Sequence, residues 1–176
     1  FIAVVAINVV GVGAYGAIES TLTVGMVVVF ILLGLFGFLG VGETLGLAEN
    51  AGGSGFWPEG GAATALGCVG SAIWFFIGFE FACPMAEENR RPQRNIPLAL
   101  VLGLVTIYIL DSLFALAAAR YADPAALAGS ATPQTVAAGA MLGPVGYGIM
   151  ALLTILASFT TANAYCAALP RMLYGM

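Results

Sequence analysis

Any chemistry this sequence performs must come from a few polar side chains set inside long apolar runs. Glu80 lies in SAIWFFIGFEFACP and Asp111 in VTIYILDSLFALAAA. An ionisable group in such a run is costly in lipid and marks a cavity, a partner or an ion path. A carboxyl at either place suits a proton or a cation. The alternative for Glu80 is an acid near a helix end that snorkels to the headgroups. The alternative for Asp111 is a structural acid held by a neighbouring helix. Tyr108, one turn earlier, is placed to donate a hydrogen bond to it. The segment ASFTTANAYC gathers Ser158, Thr160, Thr161 and Asn163. Hydroxyl oxygens suit a hard cation such as sodium, but the same residues commonly pack helices or bond back to the preceding turn. Trp74 sits midway along its run, too deep for an interfacial aromatic belt, which favours a buried packing or gating aromatic. Histidine is absent, and Cys68, Cys83 and Cys166 make neither a disulfide framework nor a zinc-ligand spacing. Glu80 and Asp111 sit at different depths, and no nucleophile–base pair accompanies them, so an enzyme is not expected.

The elements that must position these residues are membrane helices. Of 176 residues, 61% are apolar and 8% charged, with a mean hydropathy of +1.02. So few charges cannot cover a soluble surface, and five basic residues with a net charge of −4 exclude a nucleic-acid partner. A bilayer core needs about 20 apolar helical residues. The runs at 21–41, 62–84, 96–119 and 147–169 meet this, and 1–15 reads as the tail of a further span that stops in the 11–16 glycine region. The runs are continuous, which argues for helices over an alternating β-barrel.

Loop charge orients the chain. Loop 42–61 has three glutamates and no basic residue, loop 85–95 carries Arg90, Arg91 and Arg94, and Arg171 follows the last span. Positive charge stays inside, so 85–95 and Arg171 are expected on the cytoplasmic side, with 42–61 and 120–145 outside. Asn95 reads as an N-cap with Pro97 in the first turn, and Pro92 as a residue that keeps the linker from being helical. Pro124 and Pro133 each open a short Ala-rich run, expected either as two brief helices over the outer face or as a plain surface loop. The chain starts on Phe1 in apolar sequence without a leader pattern. It is expected to be part of a longer membrane protein with helices on both sides.

The stretch from Ser71 to Pro97 resembles the bacterial amino-acid permeases of the amino acid–polyamine–organocation superfamily. Phe76-Ile-Gly-Phe-Glu80 is similar to their F-x-G-F-E segment. Ala86-Glu-Glu88 and Arg91-Pro-Gln-Arg-Asn-Ile-Pro97 follow in the family's order. Thr160-Thr-Ala-Asn163 and Arg171-Met-Leu-Tyr-Gly-Met176 resemble the end of the eighth helix, and Asn8-Val-Val-Gly11 that of the fourth.

The resemblance implies an all-α, partial leucine-transporter-type fold of two inverted five-helix repeats, with this chain supplying the end of helix four through helix eight. It implies a substrate site at a break in the sixth helix. Backbone carbonyls near Trp74 and Ile77 would meet an ammonium there, with Gly78 allowing the break. Trp74 would close over the substrate, and Glu80 would couple proton movement or hold the inner half. The glycine-rich break of helix one, the other half of that site, is not in this sequence. Met26 stands where some proton-coupled relatives carry a lysine, a residue this chain lacks, and Asp111 where relatives often carry tyrosine.

The implied function is a secondary transporter in the plasma membrane, moving an amino acid or related amine by alternating access. Its coupling would be to a proton or sodium (at Thr160 and Thr161), or by exchange, with no cofactor and no covalent chemistry. Its partners would be the substrate, lipid and the missing helices of the same polypeptide. The alternative is a transporter-like sensor or accessory subunit that binds an amine without moving it.

Overall fold

A computed structural model of the chain describes residues 12–48, 61–84 and 86–176. The described residues form helices and turns. Helix α1 (Val12–Phe38) is followed by a single turn, α2 (Val41–Thr44). After residues 49–60 come α3 (Gly61–Gly67) and α4 (Val69–Ala72), then 3-10 turns at Ile73–Phe76, Phe79–Ala82 and Ala86–Glu88. Helices α5 (Pro92–Tyr121), α6 (Pro124–Ala128) and α7 (Pro133–Gly175) complete the order. Three helices are long and apolar enough to cross a bilayer: Tyr15–Phe38 within α1, α5, and α7.

Three sequence expectations are corrected. The glycine-rich stop in the 11–16 region does not end a helix, because Gly13 and Gly16 lie inside α1. An isolated glycine lowers helix stability by only about 1 kcal/mol and does not oblige a break. Residues 1–11, with the Asn8–Gly11 motif, lie outside the described residues. Pro92 does not keep the linker open, since it is the first residue of α5. At that position proline's missing N–H has no helical partner to lose. Asn95 therefore sits within the helix, and its side-chain Nδ2 donates to Asn89 Oδ1 at 2.9 Å rather than capping. The third correction concerns 62–84, which is a series of short helices and 3-10 turns and not one helix. Gly78 has φ +107°, a value that L side chains rarely adopt.

Helices α1 and α5 pack closely because glycine faces bulk. A Cβ at Gly34 would lie 2.9 Å from Leu113 Cγ, and one at Gly37 would lie 2.9 Å from Ala117 Cβ, both of α5. Small residues let membrane helices approach in this way. Phe30 and Phe114 stack with centroids 5.0 Å apart. Leu33, Ala117, Ala118, Tyr121, Ala138 and Met141 form the buried centre of this end of the bundle.

A polar corner closes the same end. Arg120 pairs with Glu43 (Nη2 to Oε1, 3.2 Å) and donates to the Phe38 carbonyl at 3.3 Å. Tyr121 Oη donates to the same Glu43 oxygen at 2.8 Å. Asp123 caps α6 by accepting from the Ala125 N–H at 3.1 Å. Helix α7 is interrupted at Leu142 and Gly143 (φ 61°) and resumes at Pro144, where proline suits a first helical position.

Candidate functional site

The site grows from the failure of a helix. The 3-10 turn Ile73–Phe76 ends at Ile77, which is extended (φ −80°, ψ 144°). Gly78 then takes its positive φ, and its carbonyl accepts from the Phe81 N–H at 3.2 Å. The Trp74 carbonyl accepts from the Ile77 N–H at a long 3.4 Å. Edge-to-face contact of Phe81 with Tyr165, centroids 4.7 Å apart, fastens the far side of the break to α7.

Ile77 and Gly78 line a cleft of about 580 Å³ together with Glu19 and Thr23 of α1, Gly103 and Ile107 of α5, and Thr160 and Thr161 of α7. Four of the residues picked from sequence, Ile77, Gly78, Thr160 and Thr161, are thus brought together. Thr160 is buried, and its hydroxyl donates to the Ala157 carbonyl at 3.0 Å. Ser158 bonds back in the same manner, to Thr154 at 2.8 Å. The hydroxyls keep acceptor capacity while doing so.

Asp111 lies elsewhere, half-buried in a neighbouring cleft of about 790 Å³ with Met26, Gln134, Thr154 and Ser158. The two clefts share Ile107, Thr161 and Tyr165. No hydrogen bond joins Tyr108 to Asp111 among the described residues, and Tyr108 is exposed. Trp74 is 75% exposed, so the buried aromatic expected there is an open one in this structure. Glu80 has its backbone in the turn Phe79–Ala82, and its side chain lies outside the described ones. Among the described residues, no group of three or more His, Cys, Asp or Glu is placed to hold a metal.

A profile of the amino acid permease family matches residues 1–176. The chain belongs to this family. It is 30% identical to the histidine permease HisP of Lactococcus lactis over 97% of its own length and 38% of that protein. It is 31% identical to the uncharacterized amino acid permease YecA of Bacillus subtilis, covering 69% of the chain and 28% of YecA. It is 35% identical to the putrescine transporter PotE of Escherichia coli K12, covering 53% of the chain and 22% of PotE. The chain therefore spans less than two fifths of these relatives. No solved structure matches it. It is an all-α membrane segment of the amino acid–polyamine–organocation superfamily.

At the cleft of this permease chain, sequence reading missed one pair. Asn163, fully buried, donates from Nδ2 to Glu19 Oε2 at 2.8 Å, linking α7 to α1. Glycines at 11, 13 and 16 punctuate the sequence and leave this acid between two apparent spans. The signal was present: residues 12–38 are apolar enough to form one helix, and Glu19 is its single acid.

Proposed function

We propose that this permease segment belongs to a secondary active transporter that moves an amino acid or related amine by alternating access. The observation that carries the reading is the cleft in which the Gly78 break meets Glu19, Thr160 and Thr161. A broken helix exposes backbone dipoles that complement a charged solute at mid-membrane. Relatives named for histidine and for putrescine support an amine-bearing substrate. Trp74, on the turn before the break, is proposed to close over the solute, and Glu80, just past it, to couple or gate. Asp111 is proposed as a polar wall of the adjoining cleft. The coupling ion is sodium at the Thr160 and Thr161 hydroxyls or a proton at Glu80, which uptake under a sodium or a pH gradient separates.

The proposed setting is the plasma membrane, with 85–95 and Arg171 cytoplasmic. Two contacts support that alternation. Cys83, Pro84 and Glu87 share a cleft of about 510 Å³ with Pro170 and Arg171, while Arg120 and Glu43 meet at the other end. Labelling of an Arg90→Cys variant from the outside of intact cells would overturn the orientation.

Reconstitution tests the function. The full-length transporter containing this chain, placed in liposomes, is expected to concentrate a radiolabelled amine. Binding without uptake would sink the transport reading and favour a sensor.

A further inference from the structure

We infer that Glu19 is the cation-recognising acid of the cleft, so that this face of the site accepts a protonated amine and rejects a carboxylate. The inference deepens the transport reading and rests on it.

Three observations carry it. Glu19 is the only charged group among the described residues lining the cleft. The remaining lining is apolar side chains, three threonines, Tyr165 and two glycines, Gly78 and Gly103. Among the described residues no arginine lines the cleft to meet an anionic group, and the chain holds no lysine at all.

The second observation is that Glu19 is held in place. Its Oε2 accepts from Asn163 Nδ2 at 2.8 Å, and Asn163 is fully buried. A buried carboxamide fixes the carboxylate's direction, and a carboxylate has a second oxygen and further lone pairs for another donor. A half-buried acid with one anchored oxygen is already oriented before a ligand arrives, which lowers the ordering cost of binding.

The third observation is what surrounds it. Thr23 stands one turn along α1, and Ile77 and Gly78 bring the broken backbone to the same cleft. An ammonium group carries three donors and no acceptor. A carboxylate oxygen, hydroxyl oxygens and backbone carbonyls are acceptors that match it. The apolar walls strengthen a charge pair by excluding water.

Two sources supply such an ammonium, the α-amine of an amino acid and the distal amine of a cationic amino acid or diamine. The test uses the full-length transporter and measures equilibrium binding and liposome uptake of L-alanine, L-lysine and putrescine at fixed sodium. Glu19→Gln keeps an acceptor for Asn163 and removes the charge, and Glu19→Asp keeps the charge. Glu19→Gln is expected to weaken binding at least tenfold, with Glu19→Asp recovering part of the loss. Loss confined to L-lysine and putrescine places Glu19 at a distal amine, and loss of all three places it at the α-amine. Affinities within twofold of the parent for every probe overturn the inference.

Should Glu19→Gln fail to fold, the parent alone decides with L-lysine, L-alanine and L-glutamate. Tighter binding of L-glutamate than of both others overturns the inference, and the reverse order upholds it. Uptake that persists with unchanged affinities removes Glu19 and leaves transport standing. Tenfold weaker binding by Glu19→Gln, with a parent that binds but never takes up solute, upholds Glu19 and sinks transport.

Discussion

Replacing Gly78 by alanine isolates the helix break from everything else in the site. A Cβ built at Gly78 meets nothing within 4 Å among the described residues, so no packing clash enters. What enters is backbone conformation, because φ is +107°. Holding an L residue in such a region costs about 1–3 kcal/mol. If the ligand requires the broken backbone, that cost appears in its affinity, about a 5- to 150-fold loss at 1.4 kcal/mol per tenfold. Gly25→Ala is the control: Gly25 lies inside α1, and its added Cβ also meets nothing within 4 Å. There alanine is expected to stabilise by about 0.5–1 kcal/mol and to leave binding unchanged. The assay is equilibrium binding of radiolabelled putrescine and L-alanine to purified full-length transporter, with thermal unfolding of each variant in detergent. Gly78→Ala binding both probes as the parent does would refute the reasoning, as would an equal loss in Gly25→Ala.

Gly42→Ala drives a methyl into the Met141 backbone carbonyl. It is expected to destabilise by about 1–3 kcal/mol, read as a lower unfolding temperature. Tyr121→Phe removes the hydrogen bond to Glu43 and is expected to lose about 1 kcal/mol. A double-mutant cycle on the more exposed Arg120–Glu43 pair should return only about 0.2–1 kcal/mol. Trp74→Ala, at an exposed side chain, should leave thermal stability within about 0.5 kcal/mol of the parent while weakening uptake, and parental uptake kinetics would remove Trp74 from the site. Glu80→Gln is expected to alter the pH profile of transport, with an identical profile counting against a proton role.

The long apolar runs located the membrane helices because length and hydropathy are properties of local sequence. Their edges were less legible. Pro92 and Gly16 are strong punctuation in water-exposed chains, yet one opens a helix and the other sits inside one. The break at Gly78 was expected through family resemblance, and its local trace is only that glycine weakens a helix. The meeting of Ile77 and Gly78 with Thr160 and Thr161 was not legible, because it joins residues over 80 positions apart. Glu19 and Asn163 were not paired for the same reason: a hydrogen bond between two helices leaves no periodic trace in either one. The Arg120–Glu43 corner was hidden too, although charge had already assigned both residues to one side.

Helix α5 carries a guanidinium near each end, at Arg94 and at Arg120. Along the axis these lie about 39 Å apart, against a hydrocarbon slab of about 30 Å. Each therefore sits at a different water boundary, and sliding the helix by more than about 5 Å in either direction would drag one of them into hydrocarbon. Arg120 is also tied to Glu43 and to the Phe38 carbonyl, so α1 inherits the same vertical register. The pair acts as two floats on one mast: it leaves tilt free and forbids piston motion. On the proposed transport reading, α5 would keep its height in the membrane while the solute crosses.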